Sequence, residues 1–438
     1  MEHKRYIILT RVDIECDTPL KVGNGEKDLY TNSCVCLDEN DLPYIPGTSV
    51  AGILRHELPI GDGDRLFGTT DIGSRLSISD ARLLYDNDNV SEGFLNEWPE
   101  SLNMFCFLPQ RQHVRIGHLG AKEANGMLFN EQIVYAGARF RFEMSLISDS
   151  EDQEPEMAKL MSILKGGIIR LGGGTRRGFG KISVVSIKQS TLDLTRPEHL
   201  NLYLEKSSSL KEEWKGWKDV NYEENGKNQK WARYILKLKP ENSLLFASGF
   251  GDKEADKTPK KEQRIEWRYG KPVLTEAYKL VPASSVKGTI SHRTAFHFNR
   301  LCKKWADEIT DWKACVGASN KAVLTLFGGE DRNGNLRRGN VIVSDIYFEA
   351  KEQKFNHVSI DNYTGGAYPG HLFNEKVVWD KNLELTLDIY VEKVILESNQ
   401  RVKEAFESAL SDLCNGFLPL GGGINRGHGV FIGKMEVQ

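Results

Sequence analysis

The chain has 438 residues, enough for two domains or more with a core in each. Its 58 basic and 61 acidic residues leave a net charge of −3, and 39% hydrophobic with 27% charged residues is the balance of a globular protein. That balance counts against a free-standing, indiscriminate nucleic-acid binder, which carries a large basic excess, yet leaves room for a local basic groove. The seven cysteines are scattered. Cys34 and Cys36 form the only close pair, and no second pair stands at zinc-site spacing, so reduced thiols are expected. With no signal peptide and no apolar run long enough to cross a bilayer, a cytoplasmic protein without a membrane partner is expected.

Residues 6–15 read as a strand and lead into a polar turn at 21–28. Pro46 and Gly47 mark a turn before a helix in which Thr48 or Ser49 is the expected cap and Val50, Ile53 and Leu54 supply helical spacing. Residues 74–85 alternate as a second strand. A long polar region containing Trp98 and Phe105 then runs to 113–118, an excursion from the core. Residues 138–147 alternate strongly as a third strand, 157–164 read as a helix, and a last strand runs from 181 to 188. The order β-α-β-β-α-β predicts an α+β, ferredoxin-like or RRM-like domain.

Between that last helix and strand lies the sequence LGGGTRRGFG (171–180), which returns as LGGGINRGHG at 420–429. Glycine at this density admits positive φ and removes every Cβ that would hold a ligand away, while Arg176, Arg177 and Arg426 add forks suited to phosphate oxygens. A tight turn explains one copy. Two copies in the same frame point to phosphate contact as well, through Gly173, Gly174, Gly422, Gly423 and Asn425.

The rest of the first half repeats too. Residues 281–292 match the helix start at 45–55, 339–348 match 76–84 with a shared Ser-Asp, and 357–362 match 113–118. Leu-Phe-Asn-Glu occurs at 128–131 and again at 372–375. The spacing grows slowly, from 236 residues between Ser49 and Ser285 to 249 between Gly172 and Gly421, which marks one duplication with small insertions. Domains are expected over 1–195 and 231–438, joined by a polar connection at 196–230.

The set P-x-x-S-[VL]-x-G, a Ser-Asp strand, H-V-x-I with LFNE, and GGGxxRGxG, occurring twice in order, resembles the RAMP superfamily. The likeness is to the backbone subunits of type III CRISPR effector complexes, in a tandem two-domain form. It implies palms that grip CRISPR guide RNA, inserted hairpin thumbs that wedge into the guide–target duplex, and other RAMP subunits as partners. It also implies cleavage of target RNA at a flipped-out nucleotide by a loop aspartate with a divalent metal, Mg2+ or Mn2+.

Carried over residue by residue, the acid's usual place holds Asn32 in the first domain, and an amide cannot accept a proton. Asp28 is the nearby substitute. In the second domain the frame 271–274 puts Gly270 near that place, while the longer loop offers Asp252, Asp256 and Glu266. Asp252 and Asp256 are the preferred candidates. For the guide backbone the candidates are Ser49, Ser284 and Ser285 at helix starts, with Arg55, Lys287 and Arg293 beside them. Met104, Phe105 and Phe107 suit a wedge or a core equally, and His113 and His357 are catalytic bases only if a partner is placed. The rival readings are a scaffold without catalysis, a metal-independent guide-processing RNase acting through histidine, and a nucleotide-binding enzyme, which lacks the GxxxxGK[ST] form.

Overall fold

The first strand, β1 (Tyr6–Cys16), is buried at every position but Glu15, because it is central in its sheet and covered on both faces. It is followed by α1 (Gly47–Glu57), β2 (Leu76–Ile78), a hairpin of β3 (Gln110–Val114) and β4 (Leu128–Gln132), then β5 (Arg139–Ser148), α2 (Glu154–Lys165) and β6 (Ile182–Asp193). β5 and β6 flank β1 and β2 pairs with β5, all antiparallel, in the order β2-β5-β1-β6. This is the ferredoxin-like arrangement the element order predicts. The computed structural model describes residues 5–28, 31–114, 128–149, 154–222, 230–305, 307–331 and 333–438. These fall into two units, one of residues 1–175, 179–227 and 263–275, the other of 176–178, 228–262 and 276–438.

In the first unit, Ile8, Val12 and Ile14 face Val50 and Leu54 of α1 and Met157, Leu160 and Met161 of α2. The opposite face, Ile7 and Leu9, packs with Leu192 and Trp214. Trp214 belongs to the stretch expected as a connection. Its described part carries α3 (Pro197–Leu204) and folds onto the sheet. Its polar composition has a physical use, since the sheet face beneath is charged. Arg11 Nη2 donates to the Glu212 carbonyl at 2.9 Å, Arg141 Nη1 to that of Leu210 at 3.4 Å, and Lys206 Nζ pairs with Glu143 at 2.6 Å. This face of the unit is therefore covered by protein.

The second unit repeats the plan. Its elements are β7 (Trp231–Pro240), α4 (Ala283–Leu301), β8 (Val341–Val343), the hairpin β9 (Glu352–Ile360) and β10 (Ala367–Val378), β11 (Leu385–Glu392), α5 (Gln400–Cys414) and β12 (Phe431–Val437). The sheet order β8-β11-β7-β12 is the same. Strict alternation along β7 sends Ala232, Tyr234, Leu236 and Leu238 into the core while Lys237 and Lys239 are exposed. The excursion expected at 113–118 is a hairpin in both units, although 115–118 lie outside the described residues.

The strand expected over 74–85 is broken into Leu76–Ile78 and Arg82–Leu83, and the break explains the repeated Ser-Asp. Asp80 Oδ1 accepts the Gly47 N–H at 2.9 Å, and Asp345 Oδ1 accepts that of Ala283 at 2.8 Å. A carboxylate from the neighbouring strand thus holds the first turn of each unit's first helix, the favoured sign at a positive helix end. Neither Thr48, Ser49, Ser284 nor Ser285 caps, because Pro46 and Pro282 occupy the cap position in extended backbone and the serines already lie in the first turn. Replacing Asp80 with Ala is expected to lower the first unit's stability by about 1 kcal/mol. Ser49→Ala should stay within about 0.5 kcal/mol, both read as urea midpoints.

Candidate functional site

Each glycine-rich stretch is a turn pinned to the loop that follows its unit's first strand. Gly173 N–H donates to the Lys21 carbonyl at 2.6 Å, and Gly422 N–H to that of Leu245 at 2.7 Å. At Gly172 (φ 76°) and Gly421 (φ 95°) a Cβ would overlap those same carbonyl oxygens. Leu171 N–H to Gly180 and Leu420 N–H to Gly429, both 2.8 Å, close the turns. These amides are spent inside the protein, so the tips carry what remains available, with Gly173 and Asn425 exposed.

Beneath each turn lies the glutamate of the Leu-Phe-Asn-Glu repeat. Glu375 is fully buried and receives Arg426 through two bonds, Nε at 3.2 Å and Nη2 at 2.8 Å. His428 Nε2 donates at 2.8 Å and His357 Nε2 lies 2.8 Å away. Glu131 is the counterpart in the first unit, paired with Lys21 and 3.3 Å from His113 Nε2. Each imidazole stacks on the phenylalanine of its own unit's Leu-Phe-Asn-Glu, His113 on Phe129 at 5.1 Å and His357 on Phe373 at 4.9 Å. Arg426, expected as a phosphate fork, is therefore engaged with a carboxylate inside the fold. The chain Ser243–His428–Glu375 has the connectivity of a hydrolase triad, but Ser243 and His428 are buried and no substrate reaches the hydroxyl.

A different picture holds at the start of α4. Lys287, half-buried one turn into the helix, has no hydrogen bond or ion pair among the described residues. Burial first, then the neighbouring Arg176 and Arg177, push its ammonium down to about 8. Arg176 is steered by its Nε bond to the Gly339 carbonyl at 2.9 Å and lies 5.5 Å over the Trp231 ring. Three cations gathered at a helix N-terminus repel one another, and an anion relieves that cost. By the repeat register Ala51 stands at this position in the first unit.

The acid loops also align once folded. In the first unit Asn32 N–H donates to the Asn130 carbonyl at 3.2 Å while Asn32 Oδ1 accepts the Asn130 N–H at 3.0 Å. In the second, Asp256 N–H donates to the Asn374 carbonyl at 3.0 Å while Asp256 Oδ2 accepts the Asn374 N–H at 2.8 Å. Asp256 therefore occupies the position of Asn32. The frame that pointed to Gly270 is corrected, since 271–274 form one strand of a hairpin with 265–268. There Glu266 pairs with Arg268 at 2.9 Å.

Asp256 keeps its other oxygen unengaged among the described residues. Asp252 does not. Lys376 at 2.7 Å and the Glu254 and Ala255 amides hold it, and its carboxyl is lowered to about 2, chiefly by Lys376. Asp28 accepts the Thr31 N–H in a local turn and lies 3.8 Å from Cys34 Sγ. Among the described residues no three His, Cys, Asp or Glu side chains gather as metal ligands, Cys34 and Cys36 included.

The remaining candidates are scattered. Arg55 pairs with Asp64 at 2.6 Å, and Arg293 shares Asp412 with His297, at 2.5 and 2.6 Å. Phe105 is core and Phe107 is 88% exposed. What sequence reasoning missed is the hairpin face of the second unit, where Ile360, Tyr363, Tyr368 and Leu372 are exposed, Tyr363 completely. Apolar residues on a stretch that does not enter the core were the available signal.

The Glu375 network has a pH signature. Burial pushes that carboxyl up, but His428 and Arg426 outweigh it and hold it below the usual glutamate range. Its contribution is then present above the unfolded value of roughly 4.3 and fades as pH falls through the lower folded value. Glu375→Gln, which leaves Arg426 and His428 without their counter-charge, is expected to cost the second unit about 3 kcal/mol at pH 7 and to flatten the acid limb of its stability profile. Denaturant midpoints across pH 3–7 measure both.

Comparison with known proteins places these observations. The RAMP superfamily model matches residues 13–183 and 221–432. A search of the curated proteins found no match. Among solved structures, a chain of the cryo-EM structure of the Type III-B Cmr-beta bound to cognate target RNA shares 20% identity, with a TM-score of 0.31. The alignment covers 42% of this chain and 61% of that one, so this chain spans about three fifths of that neighbour's length. No helix among the described residues is long and apolar enough to cross a membrane. The two matched regions span most of the chain and each holds the same pinned glycine turn, which leads to one conclusion: the chain belongs to the RAMP superfamily.

Proposed function

We propose that this protein is a tandem backbone subunit of a type III CRISPR effector complex, binding the guide RNA by its sugar-phosphate chain beside other RAMP subunits. The observation that carries this reading is Lys287, without an ion pair among the described residues and grouped with Arg176 and Arg177 at the start of α4. A cation held without a counter-charge is suited to a phosphate, and contact with the backbone needs no base sequence. The exposed aliphatic and aromatic residues at the end of the β9–β10 hairpin, above all Tyr363, suit a wedge against the bases of a guide–target duplex. Partner subunits would cover part of the remaining surface, which fits the near-neutral net charge.

Target cleavage belongs to the second unit on this reading. Asn374 N–H orients the Asp256 carboxylate at the base of the hairpin and leaves one oxygen to face the substrate. A flipped-out nucleotide would let its 2′-oxygen attack the adjacent phosphorus in line, Asp256 taking the 2′ proton while the P–O5′ bond breaks and water protonates the departing 5′-oxygen. A divalent cation, if bound, would have its shell completed by phosphate oxygens and water and would neutralise charge at the phosphate. The first unit, with Asn32 at that position, binds without cutting.

Two measurements test these assignments. Lys287→Ala is expected to weaken guide-RNA binding and to lower the slope of log K against log salt by about 1. Wild-type affinity should fall between pH 7 and 9 as Lys287 loses its proton, and the variant should lack that limb. In the assembled complex with guide and target, Asp256→Asn should abolish one cut while retaining target binding, and Asn32→Asp should add a second. Full cleavage by Asp256→Asn would leave the scaffold reading, and cleavage of precursor guide RNA by the isolated chain in EDTA would favour a histidine-dependent RNase.

A further inference from the structure

The hairpin formed by Ile265–Arg268 and Lys271–Leu274 belongs to the first unit and plays no part in the reading above. Arg268 pairs with Lys271, so Tyr269 and Gly270 alone make the turn, with φ of 51° and 77°. Two successive positive φ values are the pattern of a type I′ turn, whose first central position favours Asn, Asp or Gly. A bulky aromatic residue there is a backbone outlier. No packing compensates it, since Tyr269 is 105% exposed.

The hairpin under this ring is firmly held. Trp267 Nε1 donates to the Gly137 carbonyl at 2.9 Å, and the Arg139 guanidinium stacks 4.3 Å over the Trp267 ring. Asn87 N–H donates to the Gly270 carbonyl at 3.0 Å, and a Cβ at Gly270 would press on the Asn87 amide. A rigid arm thus presents one aromatic side chain in a strained conformation, a combination that points to function. Its closing pair is Arg268, bonded to Glu266 at 2.9 Å, and Lys271, so the turn carries a cation on each side of the ring. Aromatic side chains interleaved with cations fit single-stranded nucleic acid, whose bases stack on the ring while the cations meet the phosphates.

We infer that Tyr269 is a base-stacking contact for an unpaired nucleotide of a bound RNA strand, with Lys271 attending its phosphate. This rests on the RNA-binding reading and adds a site outside both glycine turns and both β3–β4 and β9–β10 hairpins.

The turn geometry supplies an unusual test, because Tyr269→Asn should suit the backbone better than the native residue. Binding of a fluorescein-labelled 20-nucleotide single-stranded RNA to the full chain, with thermal melts in parallel, reads it. Expected are an unchanged or higher melting midpoint for Tyr269→Asn, a roughly tenfold loss of affinity, and near-native affinity for Tyr269→Trp. Quenching of a 2-aminopurine base placed along the RNA should occur with the wild type and vanish with Tyr269→Asn. Wild-type binding with no loss in Tyr269→Asn overturns this inference alone. Absence of wild-type binding overturns it together with the RNA-binding reading.

Discussion

A carbonyl oxygen on the loop after the first strand, from Lys21 in one unit and Leu245 in the other, sits where any side chain on the glycine turn would have to be. That close approach fixes the turn against its own sheet and lets an amide of the neighbouring glycine close the bond. Much else depends on it. The pinned turn roofs a buried glutamate, the glutamate anchors the base of the inserted hairpin, and the hairpin base positions the acid loop through Asn130 or Asn374.

The buried glutamate shows how a charge can be costly and still organise a fold. Taking a carboxylate out of water is unfavourable unless every oxygen is met, and Glu375 is met by Arg426 and His428. The first unit meets its own buried glutamate with Lys21 as well. At the place of His428 the first unit has Phe179, with Arg111 stacked 4.8 Å over its ring, and Lys21 from the loop after β1 pairs with Glu131.

Cations in this protein therefore sort into two kinds. Arg426, Arg293 and Arg55 have carboxylates and belong to the architecture. Lys287 has none among the described residues, and an anion would relieve its repulsion with the neighbouring Arg176 and Arg177. Charge alone did not separate these kinds; the presence or absence of a partner did.

The sequence by itself determined the duplication, the β-α-β-β-α-β order, the alternating central strands and the need for glycine at the turns, because each is written in local spacing and backbone stereochemistry. It did not show that Asp80 and Asp345 hold the helix starts, since those bonds join residues 33 and 62 positions apart. Nor did it show that the 197–222 stretch covers a charged sheet face, or that Asp256 shares the place of Asn32. Loops of different length hide that equivalence along the chain, and only hydrogen bonding to Asn130 and Asn374 restores it. Partner choice for a polar side chain is a three-dimensional property, set by which strand lies alongside, and so it was left to the tertiary structure to decide.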